Sequence, residues 1–210
     1  GNQDTYRAGI AINNNKFSFF NSVSTGYKNP TLYEMYGADN FGYSGNVDLK
    51  PEKSYNQEIG LSFKSEKIES EISIFDTKIQ DMITYANSTY SNDYSGNSKM
   101  QGLDLKLDIN FNKFKISNNY AHVHSVDSSN TWLKRRPHDI LNSSLMYYVG
   151  DLLISPEMNF YGKHSDTHSS NYSTILIKER TLFDLKIAYL DFTFQIKNLK
   201  RNAQNDIFCF

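Results

Sequence analysis

The sequence predicts an all-β chain, an antiparallel up-and-down meander of about ten long strands forming part of a transmembrane β-barrel wall. Three observations carry this. Apolar and polar residues alternate at period two, most clearly at Leu103, Leu105, Leu107, Ile109 and Phe111, interleaved with Gly102, Asp104, Lys106, Asp108 and Asn110. The alternating runs are about ten residues long, the length that crosses a bilayer at a tilt, whereas strands of soluble domains average about 5 or 6 residues. Connections are also asymmetric, with short turns and long polar segments following each other along the chain. A soluble sandwich or a lipocalin-like barrel accommodates the alternation equally well, so strand length and connection asymmetry decide for the membrane wall.

The elements follow in order. Residues 6–12 and 17–23 read as the first two strands, and Ile59, Leu61 and Phe63 against Glu58, Gly60 and Ser62 mark the third. The stretch 68–83 changes phase near Phe75, which predicts a bulge there rather than an unbroken ladder. The run 103–111 comes next, followed by strands at 114–123, 141–149 and 152–160. Phe183, Leu185, Ile187 and Tyr189, then Phe192, Phe194 and Ile196, supply the last two. No segment reads as a helix. Tight turns at 13–16, 65–67, 112–113, 150–151 and 190–191 alternate with long connections at 26–53, 87–98, 125–137 and 163–180. Successive connections of a meander fall on opposite ends of the sheet, so every tight turn is expected at one end and every long loop at the other. Apolar side chains are then expected to face outward, with Asp104, Lys106, Asp108 and Lys197 toward the lumen.

Composition narrows the function classes. With 22 Lys plus Arg against 23 Asp plus Glu scattered along 210 residues, no basic patch marks a nucleic-acid footprint. A mean hydropathy of −0.58 is too polar for a helical membrane protein, and no apolar run approaches the ~18 residues a spanning helix needs. Cys209 is the one cysteine, which excludes an internal disulfide and a Cys-rich zinc site. The opening residues contain no initiator Met and no signal-peptide pattern, so an internal start, a fragment or a mature domain is expected.

The first long connection holds two Pro-bearing segments, Tyr27-Lys-Asn-Pro-Thr-Leu-Tyr-Glu-Met-Tyr-Gly37 and Gly45-Asn-Val-Asp-Leu-Lys-Pro-Glu-Lys-Ser54. Pro30 and Pro51 cannot donate to a strand ladder, so they mark a strand exit and the next strand's beginning at the rim of a wall. Tyr33, Tyr36, Phe41 and Tyr43 between them suit either the headgroup belt and rim packing or stacking on a ligand. Trp132, Lys134 and Arg135, with Arg136, sit in another long loop. Their cations fit either charge-assisted hydrogen bonds to an anionic ligand or a strand entry at an anionic membrane surface. His122 and His124 share a strand face, and His164 and His168 lie in or beside a long loop. Pairwise ligation is conceivable there, but no third ligand falls at convincing spacing. Asp39, Asn40 and Asp48 do not reproduce a calcium loop, so no metal and no cofactor are assigned.

The paired segments resemble the signature of TonB-dependent outer-membrane receptors, an aromatic-x-x-Pro…Leu-Tyr segment ahead of a Gly-Asn-x-x-Leu-x-Pro-Glu segment, with a strand directly after. Tyr94-Ser-Gly-Asn-Ser-Lys-Met-Gln-Gly-Leu-Asp104, Leu133-Lys-Arg-Arg-Pro137 and Phe194-Gln-Ile-Lys-Asn-Leu199 resemble counterparts in the cobalamin and siderophore branch. The resemblance covers almost the whole chain. It implies residues 1–210 as the C-terminal part of a receptor barrel in the bacterial outer membrane. It further implies uptake of a scarce metal chelate without bond chemistry, contact with outer-membrane lipid and lipopolysaccharide, and coupling to the TonB complex through a plug domain. Haem receptors of the family carry a histidine between the two segments, and residues 30–45 contain none. Cobalamin is weakly favoured over a ferric siderophore. A receptor barrel has about twenty-two strands, so about ten are not expected to make a stable transporter alone, and the plug and a full closing strand are expected to be absent from this sequence; the ending 200–210 is too short to span the apolar band. The rival reading is a self-contained ten-stranded outer-membrane hydrolase, which would need a clustered Asp/His or Ser/His constellation at the loop rim.

Overall fold

A computed structural model of the protein describes residues 4–168 and 173–199. Ten strands form one antiparallel sheet in linear order, each hydrogen-bonded to the next long strand in sequence. They are β1 (Arg7–Asn14), β2 (Phe17–Lys28), β3 (Glu52–Lys64), β4 (Ile68–Gln80), β7 (Ser98–Phe111), β8 (Phe114–Val126), β9 (Asp139–Val149), β10 (Leu152–Tyr161), β13 (Arg180–Tyr189) and β14 (Phe192–Ile196). Two hairpins stand apart from the sheet, β5 (Ile83–Ala86) with β6 (Thr89–Asn92) and β11 (His164–Thr167) with β12 (Thr174–Ile177). One helix, α1 (Leu32–Tyr36), lies between β2 and β3.

Cross-strand register fixes which side chains share a face. Phe19, Leu61, Ile72, Leu105, Tyr120 and Leu141 are successive partners across six strands, and Ile59, Ile74 and Leu103 form part of the row beside them. These aliphatic and aromatic side chains form a half-buried to exposed band, with Ile74 at 55% and Leu61 at 46% exposure. Toward the tight turns the same face carries an aromatic girdle, in which Phe17 meets Phe63 at 5.1 Å and Phe114 stacks on Tyr147 at 4.5 Å. An outward apolar band bordered by rings is the lipid-facing surface of a membrane barrel.

The opposite face carries Asp104, Lys106 and Asp108, as the alternation requires; Lys197 lies one residue past β14. This face is lined by small polar groups. Ser73, Ser98, Ser125 and Ser155 are buried there, whereas the buried apolar side chains, Tyr43, Leu49, Ile83 and Val126, all lie in or next to the long connections. Among the described residues the sheet therefore has no conventional core of its own, and the apolar core sits in the loops above it.

Two expectations are corrected. The pairings of β4 with β3 and with β7 run without a skipped residue, so no bulge occurs near Phe75. The phase change has another cause: Phe75 is an apolar residue on the inner face, lying against Gly102 of the neighbouring strand. The strand stops at Gln80, and Ile83 belongs to the separate β5–β6 hairpin. The second correction is α1. It is set by a capping box, in which Thr31 Oγ1 accepts from the Glu34 amide at 3.2 Å while Glu34 Oε2 accepts from the Thr31 amide at 2.6 Å.

Candidate functional site

All the tight turns connect one end of the sheet, and the segments 29–51, 81–97, 127–138 and 162–179 connect the other. The long connections are not loose coil. Each is internally folded and bonded to its neighbour, so they form a continuous rim.

In the first, the two quoted segments close on each other. The amide of Gly45 donates to Gly37 O at 2.7 Å and that of Asn46 to Glu34 O at 2.9 Å. A Cβ on Gly45 would lie 2.6 Å from the Met35 carbonyl, and one on Gly37 would lie 2.6 Å from Tyr33 O. Only glycine permits that approach. Between them, Asp39 Oδ1 accepts from the amides of Phe41 at 2.8 Å and Tyr43 at 3.0 Å. With Gly42 at φ +96°, this turn holds Phe41 out at 94% exposure.

The three tyrosines and the phenylalanine singled out here separate into two roles. Tyr43 is 5% exposed, stacks on Tyr33 at 4.8 Å and meets Tyr90 edge-on at 5.9 Å, while its hydroxyl donates to Tyr33 O. Burial and the surrounding hydroxyls and Glu34 push its pKa up, so it stays a neutral core residue. Tyr33, Tyr36 and Phe41 are exposed, Tyr36 at 65%.

The second connection supports the first. Asn87 and Ser88, both at positive φ, make the two-residue turn of β5–β6. That hairpin brings Tyr85 and Tyr90 against Tyr43. Asn46 Nδ2 donates to Tyr90 O at 3.0 Å. Asn92 is buried and clamps Lys50 from both sides, accepting from its amide at 2.8 Å and donating to its carbonyl at 2.9 Å.

The third connection joins the second through Ser128, whose hydroxyl donates to Asp93 and lies 2.7 Å from Ser95 Oγ. These hydroxyls hold the Asp93 carboxyl below its usual pKa. Trp132 pairs back to Val126, stacks on His138 at 3.7 Å and meets His124 edge-on at 4.3 Å. Burial lowers the His138 pKa, so this ring is neutral at neutral pH. Lys134 and Arg135 turn toward the fourth connection. Lys134 Nζ donates to Thr167 Oγ1 at 3.0 Å and Arg135 Nε to Asp166 Oδ1 at 2.6 Å, with the Arg135 amide on Ser165 O at 2.7 Å. The guanidinium holds the Asp166 carboxyl below the usual range.

His122 Nδ1 lies 2.8 Å from Asp139 Oδ1, and His164 Nδ1 lies 3.3 Å from Gly162 O. Among the described residues no three His, Cys, Asp or Glu side chains gather to hold a metal ion. The ending 200–210 lies outside the described residues.

Sequence reasoning placed the exposed rings and the cations on this rim but passed over Asn92, Tyr85, Tyr90, Ser128 and Asp166, which hold it together. The Thr-x-x-Glu spacing at Thr31 and the alternation around Asn87-Ser88 were the available signals for α1 and the hairpin.

A family model for the TonB dependent receptor-like β-barrel matches residues 1–199. The vitamin B12 transporter BtuB of Vibrio vulnificus (strain YJ016) is 24% identical over 196 residues, covering 90% of this chain and 30% of that protein. Transferrin-binding protein A of Haemophilus influenzae is 34% identical over 105 residues, 43% of this chain and 11% of that protein. Among solved structures, the siderophore receptor PirA of Acinetobacter baumannii superposes with a TM-score of 0.74 at 18% identity, over 93% of this chain and 36% of its own. A mutant ferric enterobactin receptor of Pseudomonas aeruginosa in complex with enterobactin gives 0.74 at 17% identity, over 93% and 35%. The chain thus spans about a third or less of the proteins it matches.

Proposed function

The chain belongs to the TonB-dependent receptor-like β-barrel family of the bacterial outer membrane, and we propose that it is the C-terminal wall of a receptor capturing a scarce metal chelate, a cobalamin or a ferric siderophore, on its long-loop rim. The observation that carries this reading is the linked rim. Four connections are tied edge to edge, and they display Tyr33, Tyr36 and Phe41 on one part and Trp132, Lys134 and Arg135 on another. Exposed rings bury the apolar surface of a chelate, each stacked ring adding about 0.5–1.5 kcal/mol beyond area, and the cations orient its oxygens. Import then needs the plug and the TonB complex, with the edges β1 and β14 paired to further strands. An open edge in lipid would leave N–H and C=O groups unpaired at several kcal/mol each. The similar proteins are named as a transporter, a binding protein and receptors, so the hydrolase alternative finds no support.

The test uses the protein as its gene encodes it, with cyanocobalamin and a ferric tris-catecholate as probes. Replacing Tyr36 and Phe41 with alanine should weaken the bound probe by about tenfold, as the loss of one to two ring stacks implies, while heat-modifiable migration stays normal. Unchanged affinity in a folded double variant would remove the rings from the capture site. Failure of both probes to bind the unaltered protein would overturn the chelate reading.

A further inference from the structure

Four of the five histidines of the chain gather at one place, where the third connection leaves β8 and returns to β9. His122 and His124 share a face of β8, His138 ends the connection, and His164 opens β11. The connection turns back onto β8 here. Val126 pairs with Trp132, the Leu133 amide donates to Ser125 O at 2.9 Å, and the Val123 amide donates to His138 O at 2.8 Å. Trp132 lies between two imidazoles, with His138 stacked on it at 3.7 Å and His124 edge-on at 4.3 Å. The titratable and charged groups that face His138 are His122 and His124 from β8, His164 from β11 and Asp139 beside it in β9. Asp139 is already engaged, since its Oδ1 accepts from the Tyr120 hydroxyl at 2.7 Å and lies 2.8 Å from His122 Nδ1. Asp166, which faces His164, is held by Arg135 Nε. A proton taken up at His138 or His124 therefore meets no unengaged carboxylate among the described residues.

We propose that this cluster is a proton-operated latch on the rim: neutral rings clamp Trp132 and hold the third connection to β8, and in mildly acid surroundings protonated rings release the Trp132 arm of that connection. The direction follows from opposing effects. An imidazolium stacked on an indole keeps a cation–π attraction, and Asp139 also favours the charge. Burial of the His138 ring opposes it, and every neighbouring imidazole that gains a proton adds repulsion. The balance falls against the charge, because burial is the largest influence and His138 titrates below its ordinary value. A histidine whose folded pKa is lowered contributes its stability fully above the unfolded value, about 6.5. That contribution is lost as pH falls toward the lowered value. The latch therefore holds at neutral pH and opens on acidification. Lys134 and Arg135 stay tied to β11 through Thr167 and Asp166, so the release is confined to the Trp132 arm. The inference does not depend on what the rim captures.

The test follows amide exchange in the protein as its gene encodes it, folded in a non-ionic detergent. No chelate is present, so failure of the latch and failure of the capture rim are separable. Protection of the Leu133 and Val123 amides, taken relative to the intrinsic rate at each pH, should fall on the order of tenfold between about pH 7.5 and about pH 5. An opening that takes up one proton gains up to about tenfold per pH unit within that window. Amides of β7 should keep their protection. A His124→Gln, His138→Gln variant, uncharged at those positions throughout, should lose the step. Absence of the step in the unaltered protein, or a step of the same size in the glutamine variant, overturns the latch. Should the glutamine variant not fold, or be open at both pH values, Asp139→Asn takes its place. Removing the carboxylate that favours the charged ring should move the step to lower pH, and an unmoved step also overturns the proposal.

Discussion

Gly102 offers a sharp test of how the wall is built. It lies on the inner face of β7, paired with Phe75 of β4 and Val123 of β8. A Cβ placed on it would stand 2.5 Å from the backbone oxygen of His122 and 2.5 Å from Cζ of Phe75. Gly60 of β3 makes a useful control. Its Cβ would stand 2.3 Å from the ring of Phe20, its cross-strand partner, with the nearest backbone atom, Ile72 O, at 3.1 Å. Ordinary contacts begin at 3.4 Å, so a methyl at Gly102 requires about 0.9 Å of movement from a hydrogen-bonded strand, whereas one at Gly60 chiefly requires a ring to swing. Overpacking of this kind costs about 1–3 kcal/mol, and the two sites should differ in whether it can be relieved. Gly60→Ala combined with Phe20→Ala should be more stable than the sum of the single changes by about 0.5–3 kcal/mol, the range for residues in contact. Gly102→Ala should gain much less from Phe75→Ala, because the carbonyl remains. Urea midpoints of the heat-modifiable folded form in detergent measure both cycles. Full rescue of Gly102→Ala by Phe75→Ala would show that the backbone distance sets nothing, and the account of the wall would fail.

Three further outcomes follow from the rim. Tyr43→Ala should open the first two connections to protease at 29–51 while the sheet keeps its heat-modifiable migration, since Tyr43 packs on Tyr33 and Tyr90 rather than on the wall. Thr31→Ala should cost about 0.5–2 kcal/mol at α1, read as faster amide exchange at Glu34 and Met35. Asp166→Asn should loosen the tie between the third and fourth connections by at most about 1 kcal/mol, because the Arg135 side of the pair is largely exposed. The Asp166 carboxyl titrates below its ordinary value, so its contribution is full above about pH 4 and fades as pH falls through the lowered value. Exchange of the Arg135 amide, taken relative to its intrinsic rate at each pH, should rise over that window in the unaltered protein and show no such step in the asparagine variant.

The strands were legible because one physical demand repeats along them. A residue facing lipid must be apolar and its neighbour facing the lumen need not be, so the pattern at Leu103–Phe111 announces strand and orientation together. The misreading at Phe75 shows the limit of that logic. A lumen position also takes an aromatic ring when the neighbouring strand supplies a glycine beneath it, and the pairing of Phe75 with Gly102 is non-local. The rim was legible only as length and residue type. Its folding depends on contacts across long sequence separations, such as Asn46 with Tyr90 and Arg135 with Asp166, which no local window contains.

That division has a functional consequence. A wall whose large apolar side chains face lipid offers its loops no interior to pack against, so the rim must make its own core, and Tyr43, Leu49, Ile83 and Val126 are that core. Aromatic residues in the connections are therefore of two kinds with opposite demands. Tyr43 and the hairpin tyrosines keep the shape, and replacing them alters every contact at once. Phe41, held out by Asp39, and Tyr36 meet solvent and contribute little to that shape. If the rim captures the ligand as proposed, selectivity can change at the displayed rings, at Trp132 and at the cations while the supporting network of Asn92, Ser128 and Asp166 stays as it is. Substituting displayed and supporting residues separately distinguishes loss of a contact from loss of the surface that presents it.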